Sequence, residues 1–323
     1  MKLKSAAQVR GKNIVVMGGG TGTYTVLSGL KKYPVNLAGV VSMADDGGST
    51  RVIREEFGIL PPGSVRPALV ALSDSEETLA KLFSYRFEKG TLKGHNFGNL
   101  FITALTEQLG SFEKALEETG RILHIRGKVL PSTADNVRLC ARLEDGTVVK
   151  GEAEIDVPKH NPDLKIVKIW TEPSAKASKN ALEAIGKADL IVIGPGDLFT
   201  SILPNFLARG ISNAVRKSKA KKVFVCNLMT KPGETAGFSV KDFVAWIENY
   251  IGEGTLDWIL VNTKKPSEVR VKKYEKAGAR AVQYEKTDFT NARFGVILKP
   301  LARQEGFIRH DPDVLARVLL KLL

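Results

Sequence analysis

The apolar and polar positions of this chain fall into short β-branched runs separated by longer segments of helical spacing. NIVVMG, from Asn13, is a strand with the look of burial on both faces. Helical spacing follows over Thr23 to Leu30, and Tyr33-Pro34 breaks it before a second strand, Val35 to Ser42. Strand, helix and strand within about forty residues predict a right-handed βαβ unit. Glu76 to Phe87, Gly98 to Leu109 and Phe112 to Thr119 read as helices, the last with Ser111 as N-cap and Gly120 as stop. Arg51 to Pro67 is rich in Gly and Pro and reads as an irregular loop over the site.

Near Lys128 the periodicity changes. Apolar and polar residues alternate on both sides of Asp145-Gly146, a strong hairpin signal, so an antiparallel excursion is expected over about 128–157. Lys159 to Pro173 returns the chain to the main body. Short apolar strands then recur at Leu190 to Ile193, Lys222 to Cys226 and Trp258 to Val261, separated by helical segments at Leu203 to Arg216 and Val240 to Ile251. Ala281 to Tyr284 and Val296 to Leu298 are further strand candidates, and Asp311 to Leu322 a closing helix with Pro312 in its first turn. The fold class is therefore α/β: a Rossmann-like, doubly wound, mostly parallel sheet with an inserted antiparallel β excursion, read as one domain over 1–323.

Composition changes this picture little. With 43% hydrophobic residues among 323 there is ample core, and 48 Lys and Arg against 35 Asp and Glu give a net charge of +13. That excess suits anionic partners, but only 7% of residues are aromatic and they are not interleaved with the basic ones. A solvated basic surface is favoured over a nucleic-acid platform, and steering of a small polyanion into a pocket is compatible with it. Cys140 and Cys226 lack metal-ligand spacing and read as buried free thiols. The start, MKLKSAAQVRGK, has no apolar segment of signal-peptide type, and no run approaches membrane-spanning length, so a cytoplasmic location without membrane insertion is expected.

The candidate chemistry collects after the strands. Gly18, Gly19, Gly20, Thr21, Gly22 and Thr23 put four glycines within five residues between a strand and a helix, where backbone amides can converge on a phosphate. The alternative is a bare tight turn. The spacing is not G-x-G-x-x-G, because Thr23 or Thr25 stands where the third glycine would fall, and no Gly-Lys-Ser/Thr follows. Gly194, Pro195, Gly196 and Asp197 follow another strand and Asn227 a third, so one sheet edge should gather them. Asp45 and Asp46 are adjacent carboxylates before Gly47-Gly48, suited to holding Mg²⁺ against phosphate oxygens or to capping a turn. His95 is either an acid/base group or a turn histidine. Arg309 is either a phosphate ligand or the ion-pair partner of Asp311.

Seven ordered motifs, MGGGTG, SMADDGGST, GHNFGNLFITALTE, RGKVLPSTADNVRL, IGPGDLFTSILPN, CNLMTKPGET and RHDP, resemble those of the YvcK-type gluconeogenesis factors grouped with the CofD-like phospholactate transferases. The resemblance runs from about Lys12 to His310. It implies a ligand of the nucleotide-sugar kind, such as UDP-N-acetylglucosamine, and a regulatory influence on central carbon metabolism, gluconeogenic growth, and cell shape or cell wall synthesis. The other branch implies an Mg²⁺-dependent transfer of a phospholactyl-type group from a nucleotide-activated donor. By motif, the nucleotide and phosphate contacts fall on Gly18 to Thr23, Gly194 to Asp197, Asn227 and Arg309. Catalytic or Mg²⁺-binding duty falls on Asp45, Asp46, His95 and Asn99. The chain departs from the pattern at Thr50-Arg51 and at Ser64-Val65-Arg66-Pro67, within the expected loop. Protein partners are not indicated, and a homo-oligomer stays open.

Overall fold

A computed structural model describes residues 6–290 and 292–323, so the first five residues of the basic start lie outside the described residues. The strands are β1 (Asn13–Gly18), β2 (Asn36–Val41), β3 (Lys128–Pro131), β4 (Arg138–Leu143), β5 (Val148–Lys150), β6 (Ile166–Glu172), β7 (Leu190–Ile193), β8 (Lys221–Val225), β9 (Trp258–Asn262) and β10 (Gly295–Lys299). Seven of them form one sheet in the order β10-β9-β8-β7-β1-β2-β3, and every pairing in it is parallel. Strand order reverses between β1 and β7, which lie side by side with Met17 opposite Ile193.

The side-chain alternation of these strands builds two cores. Ile14 and Val16 of β1, Val192 of β7 and Val223 of β8 face the helices Gly20–Leu30, Pro62–Leu72 and Pro312–Leu320. Val15, Met17, Ile193 and Phe224 face the other way, toward Val240–Ile251 and the inserted sheet. Phe224 and Ile193 are fully buried, and each such side chain contributes about 1.5–3 kcal/mol. The alternation requires both faces to be covered, which is why the strands read as continuous apolar runs.

Several expectations shift in register or kind. Arg51 to Pro67 is not an irregular loop: Gly48–Phe57 and Pro62–Leu72 are helices separated by four residues. Gly58 ends the first in the left-handed region (φ 65°), its N–H donating to the Arg54 carbonyl, and Pro62 opens the second at a position where its missing N–H costs nothing. Pro67 removes one interior hydrogen bond, which the burial of Val65, Ala68, Leu69 and Leu72 outweighs.

Lys128–Pro131 is the parallel edge strand of the main sheet and not the start of the excursion. The inserted sheet has three antiparallel strands in the order β5-β4-β6, so part of Lys159 to Pro173 belongs to it. Asp145-Gly146 does make the hairpin turn: Gly146 has φ 89° and the Asp145 carboxylate accepts from Thr147 N at 2.9 Å. After Gly151 the chain coils into the short helix Glu152–Asp156.

The segment Leu203 to Arg216 is divided between Pro204–Leu207 and Ile211–Lys217, because Gly210 adopts φ 110° between them. Ala281 and Gln283 make only isolated bridges to Met229 and Ser239, so no strand forms there. Both cysteines are free and buried. Among the described residues no helix is long and apolar enough to cross a membrane.

Candidate functional site

The chain leaves β1 and β7 at the same sheet edge, and the Gly194 N–H donates to the Met17 carbonyl at 2.8 Å. Two glycine-bearing turns therefore interlock where strand order reverses. A Cβ on Gly22 would stand 1.9 Å from the Pro195 carbonyl oxygen, so only glycine allows this approach. Gly196 has φ 157°, and the Asn227 side chain, just beyond β8, donates to its carbonyl at 2.7 Å.

These turns form the floor of a cleft of about 210 Å³, lined by Gly19 to Gly22, Pro195 to Asp197, Asn227, Arg309 and His310. Gly20–Leu30 begins at the cleft with Gly19 as an N-cap that has no side-chain bond. Its first-turn amides and helix dipole are therefore directed at the cleft, an arrangement suited to an anion. Gly18 and Thr23 lie beneath: Thr23 is buried, and its hydroxyl occupies the space beside Gly18 that a Cβ would need.

Arg309 is exposed at the rim, its guanidinium 5.1 Å from the centre of the Phe307 ring. Asp311 is not its ion-pair partner. That carboxylate caps Pro312–Leu320, accepting from Asp313 N and Val314 N at 2.9 Å each. His310 is buried, and burial pushes its imidazole down to about 4 against a backbone hydrogen bond at Cys226, so the ring is neutral around pH 7.

Asp197, on the cleft lining, belongs to a charge cluster that extends behind it. The Lys231 ammonium lies 2.9 Å from Asp197 and 2.9 Å from Glu234, and also bonds Asp156 of the inserted segment. Burial would lower the lysine's pKa, but the three carboxylates outweigh it and hold the group charged. Glu234 is buried and accepts from Phe199 N at 3.1 Å and Thr200 Oγ1 at 3.2 Å. Burial raises its pKa, against the pull of Lys231. Oxygens of these three carboxylates lie within 4.8 Å of one another, a cation-holding geometry in which the ammonium supplies the charge. Sequence reasoning missed Lys231 and Glu234. They lie in the Lys231-Pro232-Gly233-Glu234 turn, which begins four residues after Asn227.

Asp45 and Asp46 do not line the glycine cleft. Asp45 accepts from Gly47 N at 2.9 Å and Thr50 Oγ1 at 3.1 Å, and burial raises its pKa. Asp46 accepts from Ala153 N at 2.8 Å and opens onto a recess with Arg51, Arg54 and Arg138. Glu152 stands near both. Burial first, then the nearby carboxylates Asp45, Asp156 and Asp46, pushes it up to about 9. Thr50 therefore steadies Asp45, and Arg51 donates to the Asp46 carbonyl at 3.1 Å, so the departure at these two positions serves the aspartate turn.

His95 and Asn99 are likewise off the cleft lining. Asn99 lies in the first turn of Phe97–Leu109, its amide N–H bonded to the Asn96 cap and its side-chain oxygen accepting from Arg66 Nε at 3.1 Å. The His95 Nδ1 is buried and has no hydrogen-bond partner among the described residues.

The family model of 2-phospho-L-lactate transferase CofD matches residues 14–302. The gluconeogenesis factor of Bacillus subtilis is 42% identical over 313 residues, covering 96% of this chain and 98% of its own length. That of Halalkalibacterium halodurans is 42% identical over 312 residues, with 96% of each chain covered. A crystal structure of a UPF0052 family member from Bacillus halodurans superposes with a TM-score of 0.92 at 41% identity, covering 96% of this chain and 99% of that one. The chain belongs to the CofD family, on its gluconeogenesis-factor branch.

Proposed function

We propose that the protein binds a nucleotide sugar of the UDP-N-acetylglucosamine kind in the glycine cleft, and that through this ligand it regulates central carbon metabolism, gluconeogenic growth and cell shape or cell wall synthesis. The observation that carries the binding reading is the cradle itself. Uncapped amides of Gly20–Leu30, the turn at Gly194 to Asp197 and the Arg309 guanidinium meet in one cleft. A diphosphate offers acceptors for all three, and an arginine can engage it through two parallel bonds. The neutral His310 beside Arg309 adds no charge that would vary with pH near neutrality. A transferase reading would call on Asp45 and Asp46, which stand off this lining and have their oxygens bonded within their own turn and to Ala153.

Titration calorimetry with UDP-N-acetylglucosamine tests the reading. Wild-type protein is expected to bind, and Arg309→Ala to bind at least about tenfold more weakly, the scale of a lost charge-assisted hydrogen bond. No heat at millimolar ligand, or undiminished binding by Arg309→Ala, would contradict it.

A further inference from the structure

The inserted sheet turns one face to the core and one outward. Leu139, Ala141 and Leu143 of β4 are buried, so by alternation Arg138, Cys140 and Arg142 take the outer face. There β6 sets Glu172, Trp170 and Lys168 directly opposite them, and β5 sets Lys150 opposite Cys140 and Val148 opposite Arg142. Most of this face is balanced in charge. Glu172 accepts from Lys150 Nζ and from Trp170 Nε1 at 2.9 Å each, and Arg138 lies 3.8 Å from Glu55.

The row Val148, Arg142, Lys168 is not balanced. It places two cations directly opposite each other on neighbouring strands, with Cβ atoms about 4.5–5.5 Å apart, an arrangement that destabilises a sheet. Both side chains are exposed, and among the described residues neither has a hydrogen bond or a carboxylate partner. Glu144, the next carboxylate along the chain, accepts from Lys165 N at 3.2 Å. The row opens onto a recess of about 490 Å³, lined by Arg142, Lys168, Trp170, Thr171, Ser174 and Leu207. None of these residues lines the glycine cleft. The volume is that of a small-molecule pocket, roughly 300–1,000 Å³. The Arg142 guanidinium lies 5.8 Å from the centre of the Trp170 ring, and the ring is itself fixed by its bond to Glu172. The cation is thus positioned before a ligand arrives, and contact with a ring consumes none of its N–H donors.

We propose that this recess is a second anion site, which takes a small molecule carrying a carboxylate or phosphate group between the Arg142 guanidinium and the Lys168 ammonium. Such an anion cancels the repulsion across the row and accepts charge-assisted bonds from both cations. The site stands apart from the nucleotide reading of the glycine cleft, and either can fail alone.

The indole N–H resonance of Trp170, assigned with Trp170→Phe, reports on the recess in the full-length protein. Inorganic phosphate and citrate are titrated separately at constant ionic strength. At least one should shift this resonance saturably, and which one does so identifies the group as phosphate or carboxylate. Lys168→Gln should weaken that response about tenfold, the loss of one charge-assisted bond. Lys168→Arg, which keeps the charge, should retain it. Lys168→Glu supplies a carboxylate opposite Arg142 without disturbing the sheet, and should abolish the response. No saturable shift with either probe in the wild type overturns the proposal. So does a shift that persists undiminished in Lys168→Glu, or one that sodium chloride reproduces at the same ionic strength, since that is screening and not a site.

Discussion

Two regions of the molecule attract an anion by opposite means, side-chain charge in one and backbone amides in the other. The recess beside Asp46 holds three arginines, yet each guanidinium already faces oxygens of the protein. Arg54 donates to the Asp45 carbonyl at 3.0 Å, to the Val137 carbonyl at 2.7 Å and to the Asn136 side chain. Arg51 bonds the Asp46 carbonyl and lies 3.5 Å from Glu154, while Arg138 stands between Asp46 and Glu55 at 3.9 and 3.8 Å. The glycine cleft has one arginine at its rim, but its helix start has no side-chain cap and its turns carry Gly19, Gly20, Gly22 and Gly196. Unspent donors matter more than the number of positive charges: a donor already bonded must break that bond to serve a ligand. The +13 net charge of the chain is thus a poor guide to where its anion sits.

The strongest way to break this contrast is to fill the cradle. Gly22→Ala places a methyl group 1.9 Å from the Pro195 carbonyl oxygen, and Gly29→Ala places one 2.1 Å from the Pro312 carbonyl oxygen at the other end of the same helix. Backbone cannot yield as a flexible side chain can, so each should cost about 3 kcal/mol in denaturant melts. Only Gly22→Ala should also abolish nucleotide binding under conditions where both variants are folded. Retained binding by Gly22→Ala would separate the cradle from the ligand.

A smaller effect sharpens the other half. Arg54→Ala leaves two carbonyls without their donor and should cost about 2 kcal/mol of stability while nucleotide affinity stays at the wild-type value. A large loss of affinity would show that the arginine recess takes part after all.

The pH dependence of stability turns on Glu152, which lies between the two regions. Its folded pKa of about 9 is raised above the ordinary 4.5 by burial and by neighbouring carboxylates. Between those values the folded protein holds a proton that the unfolded chain releases, so stability falls as pH rises through the window. Glu152→Gln should flatten that fall, with no difference near pH 4.5 and a relative gain that grows by up to about 1.4 kcal/mol per pH unit toward pH 9. Parallel pH profiles for the two proteins would contradict the assignment.

The parallel sheet and its cradle were legible because both are local. NIVVMG and LIVI are apolar runs that only a strand covered on both faces requires, and four glycines in five residues announce a turn that must approach another backbone. Their partnership across 170 residues followed from the rule that ligands gather where strand order reverses. The helices at Gly48–Phe57 and Pro62–Leu72 were hidden by Gly58, Pro62 and Pro67, which read as breakers yet stand mainly at helix ends or are offset by burial. The edge strand β3 was misread because four residues cannot display a period distinct from the hairpin that follows. Lys231, Glu234 and Glu152 were illegible for a different reason: their roles depend on carboxylates from the inserted segment and the cleft loop, which only the tertiary fold brings together. The Asp45-Asp46 pair was conspicuous in sequence, and the fold sets it beside the arginine recess and off the cleft lining.

The most direct test of the account is a crystal structure of the protein with UDP-N-acetylglucosamine, reading the position of the two phosphorus atoms. They should lie over Gly19 to Gly22 within hydrogen-bond reach of the first-turn amides and of Arg309. Phosphorus density among Arg51, Arg54 and Arg138, with the glycine cleft empty, would contradict it.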